Sequence, residues 1–198
     1  MPSSFVSRAG FKLDHGLSAF AIDVTKFVCA DFGCNAGGFT DCLLQRGAAK
    51  VYAIDTGYGA LEWKLRTDPR VVAMERTNAM HVELSELVDL VVIDVAWTKQ
   101  SKILPAAARV LKPVGCVVTL IKPHYEADAR LLQRGVLPAE WLDAVVEDVQ
   151  LQIAAAGFDC LAVVGSPILG GKGNTEVVAH LRRTNPQLDA LNSVQQSC

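Results

Sequence analysis

Residues 31–39, Asp31-Phe-Gly-Cys-Asn-Ala-Gly-Gly-Phe39, restrict the fold more tightly than any other stretch of the chain. They follow an apolar run, Phe27-Val-Cys-Ala30, that reads as a buried strand. They precede Thr40-Asp-Cys-Leu-Leu-Gln-Arg46, which reads as the opening turns of a helix. Strand, glycine-rich turn and helix in that order make a nucleotide-binding corner, because glycine turns sharply and lets a ligand approach the backbone. Gly33, Gly37 and Gly38 are spaced G-x-x-x-G-G, which differs from the G-x-G-x-x-G of dinucleotide sites.

Two acids flank this corner. Asp31 closes the first apolar run, and Asp55 closes the next, Val51-Tyr-Ala-Ile54, 24 residues later. An acid at the tip of a second strand commonly accepts hydrogen bonds from ribose hydroxyls. A pyrophosphate pressed against the loop would be repelled by Asp31, whereas a positively charged aminoacyl nucleoside would not. The pattern therefore favours S-adenosylmethionine (SAM) over NAD. The competing reading is that Asp31 and Asp55 only cap the turns that follow them.

Beyond the corner the chain alternates. Strands are expected at 27–31, 50–55, 71–74, 89–94 and 115–121, with helices at 9–21, 39–46, 60–66, 79–87, 100–111 and 138–156. The apolar runs are unalternated and rich in Val and Ile, as in parallel strands covered on both faces. Runs at 158–164 and 176–181 have no helix between them and are expected to pair antiparallel. The fold class is α/β, an open, seven-stranded, mostly parallel sheet with the last strand antiparallel, binding ligands at the carboxyl ends of its central strands. Residues 1–183 read as one domain and 184–198 as a polar C-terminal tail.

Composition removes several classes. With 19 Lys+Arg against 21 Asp+Glu there is no global basic signature of a nucleic-acid binder, so only a local patch would serve. No apolar run reaches the roughly 20 residues of a membrane span. Residues 1–8 lack the charged start and apolar core of a secretory signal. Cysteines 29, 34, 42, 116, 160 and 198 form no C-x-x-C pair and read as reduced core thiols of a cytoplasmic protein. The four histidines are scattered, and no metal site is expected.

Three strand ends carry charge where charge is costly. Val91-Val-Ile-Asp94 ends in a carboxylate, Leu120-Ile-Lys122 ends in an amine, and Gly173-Asn-Thr-Glu176 puts an acid before the last strand. The fourth and fifth strands are expected neighbours, so Asp94 and Lys122 should face the same crevice. A structural ion pair is one account of them. The other is catalysis at a hydroxyl, where a lysine stabilises developing alkoxide charge and acids hold the lysine in place. Lys12 sits among Phe11, Leu13 and Leu17 on the first helix and by itself reads as a solvated charge. Asp94-Val-Ala-Trp97 offers neither the Pro-Pro-aromatic run of amino-group methyltransferases nor a Pro-Cys nucleophile, which disfavours base methylation. Trp97 reads as a packed core residue, with nucleotide stacking as the alternative.

The chain resembles the FtsJ-like RNA 2′-O-ribose methyltransferases, and is especially similar to their TlyA branch, the haemolysin-related ribosomal RNA methyltransferases. The matching stretches include Phe5-Val-Ser-Arg-Ala-Gly-Phe-Lys-Leu13, Asp31 to Leu44, Val51-Tyr-Ala-Ile-Asp-Thr-Gly-Tyr-Gly59, Glu75-Arg-Thr-Asn78, Asp89 to Asp94, Lys122-Pro123 and Gly173-Asn-Thr-Glu176. The resemblance implies a Rossmann-like class I SAM-dependent fold and RNA as substrate, ribosomal RNA above all. The haemolysin label also raises a membrane-active protein. Against it stand the lack of a spanning segment and of a basic amphipathic helix, so no membrane role is expected. The resemblance further implies a catalytic tetrad of Lys12, Asp94, Lys122 and Glu176, with Lys122 acting on the 2′-hydroxyl. It also implies a cofactor site of Asp31, Gly33, Asn35, Gly37, Gly38, Phe39, Asp55, Asn78 and Asp94. Candidate phosphate contacts are Arg8, Lys64, Arg66, Arg76, Lys99 and Lys102.

Three departures bear on the RNA target. The chain begins at the methyltransferase, without the small RNA-binding domain that usually precedes it, so a protein partner is one expected source of RNA docking. Cys34-Asn35-Ala36 replace the loop's usual small hydroxyl-bearing residues. Val95-Ala-Trp-Thr98 replaces Ser-Phe-Ile-Ser, and the segment after Lys122 is short. The alternative function is a non-catalytic family member that binds SAM and RNA and acts with a partner.

Overall fold

A computed structural model of the chain describes residues 5–184. Helix α1 (Ala9–Ala19) leads into strand β1 (Val28–Phe32), helix α2 (Gly38–Gln45), β2 (Lys50–Ile54), the single turn α3 (Trp63–Arg66), β3 (Val71–Met74) and β4 (Val88–Ile93). Then come α4 (Gln100–Val110), β5 (Leu111–Ile121), the short α5 (Pro123–Glu126), α6 (Leu142–Ala155), β6 (Phe158–Gly165) and β7 (Val177–Arg183). The strands form one sheet in the order β3-β2-β1-β4-β5-β7-β6. β1 to β5 run parallel, and β7 inserts between β5 and β6, antiparallel to both.

The unalternated apolar strands are explained by cover on both faces. Ala30, Phe32, Val91, Ile93, Val117 and Ile121 pack on one side, with residues of α4 and α6. Their alternate neighbours Cys29, Leu90, Val92, Val118 and Leu120 pack on the other, with α1 and α2. Successive strand side chains point to opposite faces, so one run feeds two cores. The parity has a consequence for the charged residues. Asp31 shares the face of Cys29, Asp94 that of Val92, Lys122 that of Leu120, and Glu176 that of Val178. All four therefore lie on the side covered by α1 and α2.

Three expectations needed correction. A helix over 79–87 is absent: Ala79–His81 make one 3₁₀ turn, capped by the Asn78 side chain accepting from the Met80 amide at 2.9 Å. The chain then runs irregularly, with Ser85 and Glu86 held to β2. Ser85 Oγ meets the Tyr52 hydroxyl at 2.7 Å, and Lys50 Nζ donates to Glu86 at 2.9 Å. β5 begins at Leu111, not 115, and carries Pro113 where its register with β4 shifts between Val88 and Leu90, a position that tolerates the missing amide. Residues 138–141 are not part of the long helix, which starts at Leu142 after a 3₁₀ turn over Ala139–Trp141. Of the expected C-terminal tail, Thr184 donates its amide to the Gly157 carbonyl at 2.9 Å, and the rest lies outside the described residues.

Candidate active site

The glycine loop works by packing as much as by openness. Gly33 has φ +88°, and a Cβ there would stand 2.7 Å from the Asp94 carbonyl oxygen. At Gly38 a Cβ would strike Ser7 Oγ and lie 2.9 Å from the Gly10 amide nitrogen, so this glycine lets α1 start directly over α2. Gly37, at φ +96°, leaves its empty side to Leu61 and Leu65. Asn35 adopts φ +46°, which asparagine tolerates better than most residues. The Asp55 carboxylate ties the corner together, accepting from the Asn35 amide at 3.0 Å and from the Gly57 amide at 2.7 Å. Capping is thus an observed role of Asp55.

Above the loop, at the carboxyl ends of β1, β2 and β4, lies a cavity of about 760 Å³. That is within the ordinary range for small-molecule sites, roughly 300–1,000 Å³. Gly33, Asn35, Phe39, Asp55, Asn78, Asp94 and Lys122 line it, as expected from the sequence. Thr56, Thr77 and Met80 also line it and were missed, although Thr77 stands beside Asn78 and its amide donates to the Asp55 carbonyl at 2.9 Å. Asp31, Gly37 and Gly38 are not in the wall. Asp31 sits beneath the loop, fully buried, accepting from Thr40 Oγ1 at 2.7 Å, while its Oδ1 has no partner. Burial, together with the negative charges of Asp94 and Asp55, pushes this carboxyl up to about 7.

SAM fits these features. Three carboxylates, Asp31, Asp55 and Asp94, bias the site toward a cation, and the buried Oδ1 atoms of Asp31 and Asp94 have no hydrogen-bond partner. Asp55, at the tip of β2, lines the cavity and accepts one hydrogen bond at each carboxylate oxygen, which leaves it further acceptor capacity. A phosphate-rich dinucleotide would meet the same carboxylates as repulsion.

The four charged residues beside the cavity form two ion pairs. Lys122 Nζ lies 2.6 Å from Asp94 Oδ1 and directs its aligned hydrogen bond to the Val95 carbonyl at 2.9 Å. Lys12 Nζ contacts Glu176 Oε2 at 2.5 Å, with 8% and 3% of the two side chains exposed. Lys12 is therefore not the solvated charge its helix suggested. The reach comes from Gly16: a Cβ there would lie 2.6 Å from Val178 Cγ1. Lys12 and Gly16 are one helical turn apart, and Glu176 and Val178 are two strand positions apart, so α1 lies flat against β7 and the charges meet. Gly170 makes room for the Glu176 carboxylate in the same way. The register pairs Ile121 with Val177, which sets Lys122 opposite Glu176 one step further on. The two ion pairs are neighbours, and only the Lys122–Asp94 pair opens onto the cavity.

Trp97 is a correction. It lines the cavity mouth and is 80% exposed, not packed in the core. Of the candidate phosphate contacts, Arg8, Lys64, Arg76, Lys99 and Lys102 are exposed. Lys64 pairs with Asp41 at 3.2 Å, Arg66 with Glu75, Arg76 lies over the Tyr58 ring, and Lys99 donates to the Glu126 carbonyl. The described cysteines are free thiols, with Cys29, Cys34 and Cys42 buried. Among the described residues no group of three or more metal-ligating side chains comes together, and no helix is long and apolar enough to cross a membrane.

An open sheet of this order, with a carboxylate-lined nucleoside cavity at its switch point, defines a Rossmann-like, class I SAM-dependent methyltransferase. The chain belongs to the FtsJ-like methyltransferase family, whose pattern matches residues 5–183. It is 40% identical over 192 residues to the TlyA 16S/23S rRNA (cytidine-2′-O)-methyltransferase of Mycobacterium tuberculosis, covering 90% of this chain and 69% of that one. It is 38% identical to hemolysin A of Brachyspira hyodysenteriae, over 89% of this chain and 76% of that one. A solved structure from Streptococcus thermophilus, provisionally titled a hemolysin, superposes with a TM-score of 0.90 at 38% identity, covering 93% of this chain and 69% of that one. The chain spans 66 to 76% of the length of the curated relatives it matches most fully.

Proposed function

We propose that this chain transfers a methyl group to a ribose 2′-hydroxyl of RNA, ribosomal RNA being the favoured substrate. The observation that carries the reading is the Lys122–Asp94 pair at the cavity wall, backed by the buried Lys12–Glu176 pair. The rRNA 2′-O-methyltransferase names of relatives at about this similarity support the substrate class. When bound, SAM supplies a sulfonium-activated methyl group. Gly33, Asn35, Phe39, Asp55, Asn78 and Asp94 would hold it from the wall, with Asp31, Gly37 and Gly38 shaping the loop behind.

The residues' own work is at the acceptor oxygen. Lys122 orients the hydroxyl and stabilises the negative charge that develops on its oxygen as the oxygen–methyl bond forms, and the hydroxyl proton passes to solvent at the open cavity mouth. Asp94 and the Val95 carbonyl fix the ammonium, and Lys12 adds positive potential behind it. Glu176 holds Lys12 in place. Trp97, exposed at the mouth, offers a face on which the acceptor base stacks, worth about 1–3 kcal/mol. Arg8, Lys64, Arg76, Lys99 and Lys102 are the exposed candidates for phosphate contact. Residues 1–183 act in this reading as one methyltransferase domain in the cytoplasm.

The test is label transfer. Purified protein is incubated with radiolabelled SAM and, separately, ribosomal subunits, stripped rRNA and transfer RNA over a range of salt. Labelling of rRNA or subunits that falls steeply with salt is expected. Cofactor binding with no labelling of any RNA would return the chain to the non-catalytic reading.

A further inference from the structure

The two ion pairs share a third neighbour that the reaction above does not use. Pro123 opens α5 and leaves Lys122 as its N-cap, and the next residue, His124, turns inward. Its ring packs against Tyr125 with centroids 4.1 Å apart, and only 8% of the residue is exposed. Its Nδ1 is buried and has no hydrogen-bond partner. An unpaired polar atom in an interior costs about 1–3 kcal/mol, and a phenyl or isobutyl group would fill the space without that cost. Both Glu176, at the start of β7, and Lys122, on the other pair, act on the imidazole electrostatically. From α6, packed against α5, Asp148 acts on Glu126, and Glu176 and Lys122 are the charged groups that act on His124 itself.

We propose that His124 is a positioning residue of this site: as a neutral imidazole it leaves Glu176 wholly to Lys12 and adds no third positive charge beside Lys122, and on protonation it draws Glu176 away from Lys12. The unpaired Nδ1 favours the neutral form, because an imidazolium N–H there has no acceptor while Glu176 stays on Lys12. Desolvation works the same way, lowering the affinity of the ring for a proton, with Glu176 opposing and Lys122 reinforcing. The group is therefore uncharged at neutral pH and charges in acid, where the geometry behind Lys122 comes apart. This role rests on the proposed transfer reaction, but its first test does not.

The first test is histidine NMR on the folded protein, with His15, His81 and His180 as internal references and His124→Gln giving the assignment. His124 should titrate below its ordinary 6.5. The midpoint should move up in Lys122→Ala and down in Glu176→Gln, each by about half a unit or more. A midpoint that neither variant moves would overturn the proposal whether or not any RNA is methylated. The second test is the pH profile of kcat at saturating SAM, which separates His124 from effects of Asp31 on cofactor binding. The wild type should lose about tenfold in rate per pH unit below the His124 midpoint, and His124→Gln should flatten that limb. An unchanged acid limb in His124→Gln would equally refute the role. Absence of transfer in the wild type at every pH would refute the parent reaction and leave the NMR result to decide His124.

Discussion

Replacing Asp31 by Asn should stabilise the unliganded protein at neutral pH and weaken its hold on cofactor. Asp31 is fully buried, its Oδ1 has no partner, and its carboxyl is raised from 3.8 to about 7. A shift of that size corresponds to up to about 4 kcal/mol. The sign follows from linkage. The folded state binds the proton more tightly than the unfolded state, so this contribution to stability is whole below pH 4 and is lost as pH rises toward 7. Above pH 7 the wild type carries the full penalty of a buried charge and the Asn variant carries none. The assay is thermal unfolding of both proteins, without ligand, from pH 4.5 to 8.5. Any constant cost of the amide cancels when the difference in Tm is followed across pH. That difference should swing in favour of Asp31→Asn by about 10 °C between the two ends, at roughly 2–4 °C per kcal/mol. Parallel Tm curves, or a swing of opposite sign, would refute the reasoning. Calorimetry should show SAM binding weakened in the variant above pH 7, since the carboxylate buried behind the glycine loop, which adds negative potential to the site, has been removed.

Other perturbations probe the packing and the acceptor side. Gly16→Val should lift α1 from β7, because a Cβ already falls 2.6 Å from Val178 Cγ1; lowered Tm together with reduced transfer is the expected pair of readouts. Glu176→Gln strands the Lys12 ammonium and should cost about 3–5 kcal/mol in denaturant unfolding, whereas Lys12→Met with Glu176→Gln should recover most of that. Trp97→Ala should leave Tm within about 1 °C, since surface substitutions seldom exceed ±0.5 kcal/mol, while raising KM for RNA.

Much of this architecture was legible because its signals are local. The strand, glycine turn and helix around Asp31, the acids at strand ends, and the adjacency of Asp94 and Lys122 all follow from apolar runs and their punctuation. The segment after Asn78 was misread because Met80, Val82 and Leu84 are apolar without helical spacing, and Ser85 and Glu86 are fixed by Tyr52 and Lys50 from another element. Lys12 and Glu176 were supplied by resemblance rather than spacing. Their meeting depends on β7 inserting beside β5 and on Gly16 admitting α1, and both are tertiary facts. His124 did carry a signal, as a histidine two residues beyond Lys122, but its inward turn and unpaired Nδ1 appear only in three dimensions. Trp97 went the other way: a large aromatic is usually packed, and here the loop after β4 holds it outward at the cavity mouth.

The central claim is that Lys122 serves a ribose hydroxyl. It is tested most directly by labelling rRNA with radioactive SAM, hydrolysing the product in alkali, and comparing wild type with Lys122→Ala after confirming that the variant still binds SAM. A 2′-O-methyl blocks cleavage of its own phosphodiester, so label should survive in an alkali-resistant dinucleotide and fall by at least about a hundredfold in the variant. Label released as a single methylated nucleotide, or undiminished in Lys122→Ala, would contradict the account.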